Sequence, residues 1–359
     1  MTDQHDSAGG SDVVTEPAGL TAAWLSTALG SPVASVEQEP VGTGQMGASY
    51  RLRLTYGDPA ADDQPDRPHS IVAKLPSPDP TLRSMAAGAY LTEVGFYRDM
   101  AETIVMRTPT CHYAATADDG ASFVLLLEDL HPAHQGDQLR GSTVAEAERA
   151  AVSLAGLHGP RWCDPDLLEL PWITAIDPEG AAFLGELLTV AVGQFVERYT
   201  GRLDPADAEL LLPIAAAIEA WMLGRSERFA PVHGDYRMDN LMFFPADDLA
   251  VVDWQTVGVG LPARDLAYFL ETSLDPEARR ACEHGVVARY HDTLLSYGVA
   301  GYPLDLCFED YRYGMLQGPL ITVLGAAYGT RTDRGDEMFL AMIARSCAAV
   351  RDLDTLDMI

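Results

Sequence analysis

Hydrophobic and polar positions change their period twice along this chain. Leu20, Ala23, Trp24 and Leu29 recur at helical spacing and stop at Gly30, which predicts a short helix. From Val36 to about Leu75 the period becomes two. Tyr50-Arg-Leu-Arg-Leu-Thr-Tyr56 alternates strictly, as a half-buried strand does, and Ser70-Ile-Val-Ala-Lys-Leu75 is a short apolar run that reads as another strand. Between them Gly57 to His69 is rich in Asp and Pro and reads as a long exposed loop, its acids solvated. Helical spacing returns from Met85 to about Ile104, with Ala86, Ala89, Tyr90, Val94 and Tyr97 on one side. Phe123-Val-Leu-Leu-Leu127 predicts a buried strand that stops at Glu128-Asp129.

Beyond that point the pattern is mainly helical. Thr143-Val-Ala-Glu146 is a capping-box signature, and the helix it starts should end at His158-Gly159-Pro160. Ala/Leu-rich helices are expected over Gly180–Tyr199 and Pro205–Ala230, and no solenoid period is present. The uncharged run Tyr313 to Thr330 contains Gln317, Gly318, Pro319 and Thr322, so it reads as a buried helix with a break and not as a membrane span. The fold class expected is α+β, a small antiparallel-sheet part followed by a larger helical part. Residues 1–17, polar and acidic, are expected to fray; 18–128 form the strand-rich part and 129–359 the helical part.

Composition narrows the function. The 359 residues carry a net charge of −29, which leaves few ways to build a basic patch and argues against nucleic-acid or anionic-membrane partners. The basic residues are 23 arginines and one lysine, Lys74. The first of them is Arg51, so the N-terminal region lacks the positive start of a secretory signal. Five scattered cysteines without a CxxC fit free thiols, and a cytoplasmic location is expected. The histidines show no HxxxH or HExxH spacing.

The chemistry concentrates in Val232-His-Gly-Asp-Tyr-Arg-Met-Asp-Asn-Leu-Met-Phe243 and Val251-Val-Asp-Trp-Gln255. Leu241–Phe244 and Leu249–Val252 flank a turn as a hairpin would, bringing Asn240 and Asp253 together, with Asp235 close by. An amide oxygen and a carboxylate, with few other protein donors, suit Mg²⁺ that keeps water and phosphate oxygens. The bland reading is a polar turn with solvated acids. Against it stands the spacing, in which an Asp is followed five later by an Asn and then by a downstream Asp, as in phosphoryl-transfer enzymes.

His233-Gly-Asp-Tyr-Arg-Met-Asp-Asn240 with Asp253-Trp-Gln255 resembles the aminoglycoside phosphotransferase and choline kinase superfamily, which has a protein-kinase-like two-lobe fold. Leu127-Glu-Asp-Leu130, Ala155-Gly-Leu-His158 and Arg264-Asp-Leu-Ala-Tyr-Phe-Leu270 most resemble its ecdysteroid-kinase-like branch. The resemblance runs from about Val41 to Tyr297 and is most specific over Val232–Leu270. It implies that Asp235 is the catalytic, base-like residue, that Asn240 and Asp253 hold Mg²⁺, and that Asp265 braces the catalytic loop. His-Gly-Asp and Asp-Trp-Gln replace the His-Arg-Asp and Asp-Phe-Gly of protein kinases, which points to small-molecule substrates.

The strand-rich part supplies the matching nucleotide residues. Gly42-Thr-Gly44-Gln-Met-Gly47 is followed by a strand, which favours a glycine loop over phosphates, with Ser49 as a further donor; a plain turn is the alternative. Lys74 is expected on the α/β-phosphates, as a compact point charge where a planar guanidinium would not fit. Glu93 is its expected partner, with Asp99 and Glu102 as alternatives. Glu128 and Leu130 are candidate hinge positions for an adenine edge, a role that main-chain groups would fill. His158, Trp162 and His233 are expected to pack or brace.

The reading is ATP- and Mg²⁺-dependent transfer of the γ-phosphoryl group to a hydroxyl of a small molecule. Its rival is a nucleotide-binding pseudokinase or regulatory module. A protein kinase is disfavoured, because only about ten residues separate Asp253 from Arg264-Asp-Leu. The acceptor itself has no legible code. The acidic balance would suit an amino sugar, and an apolar alcohol is equally allowed.

Overall fold

The alternating stretches pair into a five-stranded antiparallel sheet of order β1-β2-β3-β5-β4. Its strands are β1 (Val33–Val41), β2 (Gly47–Tyr56), β3 (Ser70–Pro76), β4 (Cys111–Ala117) and β5 (Ser122–Glu128). The computed structural model describes residues 13–42, 47–57, 67–173, 175–245 and 248–359. The acids predicted to be solvated at positions 58–66 lie outside the described residues.

The chain divides into two units. The first comprises the chain up to Glu102, Thr108–His131 and Asp253–Gln255; the second comprises Thr103–Arg107, Pro132–Val252 and Thr256–Ile359. In the first unit Leu52, Leu54 and Tyr56 of β2 and Ile71, Ala73 and Leu75 of β3 all point to one side. They pack there with Leu25 of α1 (Ala22–Ala28). β5 is buried on both faces, which is why it reads as an unbroken apolar run.

Two expectations are corrected here. The predicted frayed segment is too long at its inner end, because Val13 and Val14 pack against this core. The helix expected over Met85–Ile104 begins earlier and is interrupted. α2 (Pro80–Met85) starts behind Asp79, whose carboxylate accepts the Thr81 N–H at 2.8 Å. α3 (Ala87–Gly95) follows a break at Ala86 and runs into a wider π turn, Phe96–Met100.

The second unit is mainly helical. A short β6 (His134–Gln135) precedes α4 (Val144–His158), and the predicted capping box is present. Glu146 N–H donates to Thr143 Oγ1 at 3.2 Å, and Thr143 N–H donates to Glu146 at 2.7 Å. α5 (Pro178–Arg198) and α6 (Pro205–Leu223) form a pair, then β7 (Ala230–Val232), β8 (Leu241–Phe243), β9 (Leu249–Val251) and β10 (Gly258–Gly260) follow. β8 and β9 form the predicted hairpin. α7 (Ala263–Ser273) is buried along nearly its whole length and packs against α8 (Pro276–Ser296), α9 (Leu304–Tyr313), α10 (Gln317–Tyr328) and α11 (Asp333–Asp352). The run Tyr313–Thr330 is α10 preceded by a 3₁₀ turn, the expected break. Among the described residues one helix, α5, is long and apolar enough to cross a membrane by length and composition alone; it packs along α6 and α10.

Candidate active site

In the first unit β3 alternates Ile71, Ala73 and Leu75 into the core, which leaves Lys74 on the opposite face. Its strand partners are Ser49 on β2 and Leu125 on β5. α3 presents Glu93, only 2% exposed, and its two carboxylate oxygens lie 2.6 and 2.7 Å from Lys74 Nζ. Asp253 Oδ1 is 3.3 Å from the same ammonium. Burial works against the charged lysine, but the two carboxylates outweigh it and raise its pKa, so it stays protonated. Asp99 is taken by Arg98 at 2.9 Å and Glu102 is exposed, so neither reaches Lys74.

Asp253 is held in an unusual way. Its backbone is left-handed, with φ at +70°, a conformation rare for a residue with a side chain. The next residue, Trp254, stacks on Phe96 at 3.7 Å and donates its N–H to Glu93 Oε1 at 3.3 Å. Gln255 donates to Asp253 Oδ2, also at 3.3 Å. The strained turn is thus fastened to the π turn and to the glutamate that grips the lysine.

The glycine loop is partly described. Gly42 has φ at +74°, and a Cβ at Gly47 would lie 2.7 Å from Leu75 O, so both positions require glycine. Gly44 lies outside the described residues. At the end of β5, Glu128 donates its N–H to Thr110 O at 2.8 Å, and its carboxylate accepts from Thr110 N–H at 3.1 Å. Leu130 is buried. Between them Asp129 does work that sequence reading missed. It binds Arg51 at 2.7 Å and Ser70 Oγ at 2.5 Å, and accepts the His131 N–H at 3.3 Å. These bonds overcome the effect of burial and hold its carboxyl below the usual range.

In the second unit the loop from β7 to β8 carries Asp235 and Asn240. Asp265, buried on α7, accepts the N–H groups of His233 at 2.6 Å and Gly234 at 3.0 Å. Gly234 has φ at +80°, and a Cβ there would sit 2.6 Å from Thr256 O. The His233 ring donates from Nε2 to Val252 O at 3.1 Å and accepts Asp235 N–H at Nδ1 at 3.3 Å, which makes it a brace. His158 is fully buried against Tyr290 and Asp265, a packing and bracing position.

The Asp235 carboxylate accepts Tyr268 O–H at 2.8 Å, Asn240 Nδ2–H at 3.0 Å and Arg237 Nε–H at 3.1 Å. Arg237 Nη1 continues to Asp239 at 2.8 Å, and Asp239 also receives Gln138 N–H at 2.9 Å and Arg334. Tyr268, Arg237, Asp239, Gln138 and Arg334 were not singled out from the sequence. Only the spacing Asp235-x-Arg237-x-Asp239, which sets an arginine two residues from each of two acids, could have signalled part of this set. Asn240 Nδ2 also donates to Asp235 O at 2.8 Å. Two acceptors on one side fix the amide orientation, so Asn240 Oδ1 turns away with no donor among the described residues. Val252 N–H donates to Asn240 O at 3.0 Å across the base of the hairpin.

Each unit by itself offers an oxygen of the kind a divalent cation takes: Asn240 Oδ1 in the second, and in the first the Asp253 carboxylate, which is shared between Lys74 and Gln255, each at 3.3 Å. Among the described residues no group of three or more His, Cys, Asp or Glu side chains forms an all-protein metal cage.

A model of the phosphotransferase enzyme family matches residues 53–302. Among solved structures, the chain resembles choline kinase from Cryptosporidium parvum, with a TM-score of 0.58 and 10% identity over 90% of this chain and 91% of that one. It also resembles wild-type aminoglycoside 2′-phosphotransferase-IIIa in its GDP complex, with a TM-score of 0.52 and 16% identity over 88% and 94% of the two chains. At these identities the likeness is one of fold. Mouse acyl-CoA dehydrogenase family member 10 is 42% identical over 78 residues, 20% of this chain and 7% of that protein. The chicken family member 11 is 30% identical over 95 residues, 25% of this chain and 12% of that protein. The chain therefore spans only a small fraction of these curated relatives.

Proposed function

Since this chain belongs to the phosphotransferase enzyme family, we propose that it is a small-molecule kinase that transfers the γ-phosphoryl group of ATP, with Mg²⁺, to a hydroxyl of a small molecule. The observation that carries this reading is the single lysine of the chain, gripped by Glu93 at 2.6 Å and by Asp253 at 3.3 Å. A chain of net charge −29 with a single lysine, placed on β3, supports reading that lysine as the compact phosphate-binding charge such an enzyme needs. Phosphoryl transfer asks a protein mainly for positioning and charge neutralisation.

In this reading the backbone N–H groups around Gly42–Gly47, the Ser49 hydroxyl and Lys74 bind phosphate oxygens. Glu93 aims the lysine. The main chain at Glu128–Leu130 meets the base. Asn240 and Asp253 are the residues that would hold Mg²⁺, which when bound supplies neutralisation of the transferred group's charge. Asp235 orients the acceptor hydroxyl and takes its proton late in the transfer, with Tyr268 and Asn240 fixing the carboxylate. The ecdysteroid-kinase-like branch is part of this proposal and rests on the Leu127–Leu130, Ala155–His158 and Arg264–Leu270 motifs.

The test is ADP release with a panel of hydroxyl compounds, with Mg²⁺ and with chelator. Metal-dependent release stimulated by at least one compound is expected. Nucleotide binding without release under any acceptor would mean a silent nucleotide-binding module.

A further inference from the structure

The carboxylates around the Asp235 loop are already committed. Asp235 takes Arg237, Tyr268 and Asn240; Asp239 takes Arg237 and Arg334; Asp265 takes two backbone N–H groups. Asp310 on α9 takes Arg225 and Arg228. A cationic acceptor would find no uncommitted carboxylate among these groups.

Arg264 is the reverse case. Its guanidinium lies flat over the Trp221 ring, 3.9 Å from the centroid. Nε and Nη2 donate to the neutral Gln317 Oε1 at 3.3 and 2.8 Å, and Nη2 approaches Met222 Sδ at 3.1 Å. Among the described residues it forms no ion pair, and Nη1 has no hydrogen-bond partner. Elsewhere in this acidic unit, buried or half-buried arginines such as Arg198, Arg228, Arg237 and Arg279 each meet a carboxylate. Burial pushes the Arg264 guanidinium down to about 10, with the nearby charge of Asp265 pulling the other way without touching it.

The position matters as much as the charge. Gln317 donates its other end to Gly234 O at 3.0 Å, next to Asp235 in the chain. Trp221 is itself locked, with its indole N–H on Tyr313 O at 2.7 Å. The guanidinium is therefore preorganised by a stack and an amide, one side chain away from the catalytic loop. A planar fork with a free edge is the group suited to an oxyanion.

We propose that Arg264 recognises a carboxylate or phosphate group on the acceptor alcohol, so that the enzyme phosphorylates anionic hydroxyl compounds and not amino sugars or choline-like alcohols. This rests on the reading of Asp235 as the residue that meets the acceptor hydroxyl. ADP release is measured with matched sets: a hydroxy acid, its primary amide and the corresponding amino alcohol, beside a sugar phosphate and its parent sugar. The anionic member of one set is expected to have the highest kcat/KM, and which set responds separates carboxylate from phosphate. Arg264→Gln should shrink the ratio of kcat/KM between anion and neutral isostere by about 10- to 100-fold, the loss of one charge-assisted contact. Arg264→Lys should restore part of that ratio and guards against a folding defect. In wild type the preferred anion should raise the melting temperature, and in Arg264→Gln it should not. Preference for the amino alcohol, or an unchanged ratio in folded Arg264→Gln, overturns this proposal while leaving phosphoryl transfer intact. Absence of ADP release with every acceptor removes both.

Discussion

Glu271→Gln is expected to stabilise the protein at neutral pH and to lose that advantage in acid. Glu271 lies on α7, the helix that also carries Asp265 and Tyr268, and it is fully buried. One carboxyl oxygen accepts the Gly318 N–H at 2.8 Å; the other has no hydrogen-bond partner among the described residues. No arginine, lysine or histidine forms an ion pair with it there. A Cβ added at Gly318 would lie 2.4 Å from Ser346 Oγ and 2.6 Å from Glu271 Oε1, so the site is tightly packed and holds an unpartnered hydroxyl beside the carboxyl. Burial therefore raises the Glu271 pKa well above its ordinary value and favours the neutral form in the folded protein.

The sign follows from linkage. In the unfolded chain this carboxyl ionises near the ordinary glutamate value of about 4.3, whereas in the folded chain it ionises only at higher pH. Below that pH both states are protonated and the group contributes nothing. Above it, the unfolded state is favoured by about 1.4 kcal/mol for each pH unit, until the folded group itself titrates. Glutamine keeps the acceptor for Gly318, offers an amide N–H to the neighbouring hydroxyl and does not titrate. Urea unfolding of both proteins at pH 4, 5, 6 and 7 isolates the effect, because the remaining acids titrate alike in both. The gap should be near zero at pH 4 and widen with rising pH, at up to the slope given, until the folded group titrates. A gap that does not change with pH, or a glutamine variant less stable at pH 7, would refute the reasoning.

Three further outcomes are expected. Asp235→Asn should cut turnover by roughly 10²–10⁴ while nucleotide binding persists; near-full activity on the true acceptor would remove Asp235 from the chemistry. Lys74→Met should raise the nucleotide requirement and lower the rate, and unchanged ATP kinetics would place the lysine outside the nucleotide site. Asp265→Ala strands two N–H groups that it now receives at 2.6 and 3.0 Å, and should cost about 2–6 kcal/mol in urea unfolding; a loss under about 1 kcal/mol would mean that water or a neighbour replaces the brace.

Much of the fold is legible where burial imposes a period. β2 alternates because one face meets the core and the other does not, and β5 is continuously apolar because both faces are covered. β4 escaped notice for the opposite reason: every residue of Cys111–Ala117 is half-buried, so no alternation is written. The helix boundary at Ala86 and the π turn at Phe96–Met100 are set by packing and leave no periodic mark. The motif residues Asp235, Asn240, Asp253 and Lys74 stand out because their types and spacings are improbable together. Their supports do not: Asp129 and Tyr268 are ordinary residues whose bonds to Arg51 and Asp235 span 78 and 33 positions of chain.

The sequence by itself determined which groups are available: one lysine, a candidate pair of oxygen ligands, a candidate base in Asp235 and glycines where the backbone turns. Local chemistry suffices for that, because turns, caps and strand alternation depend on neighbours a few residues apart. Only the tertiary structure decided which charges are spent and which remain. Asp235 and Asp239 are committed to Arg237, Glu93 to Lys74, and Arg264, among the described residues, to no anion. A net charge of −29 suggested a home for cations. Pairing depends on long-range contacts that no local pattern records, and beside the catalytic loop it leaves a positive group unmatched.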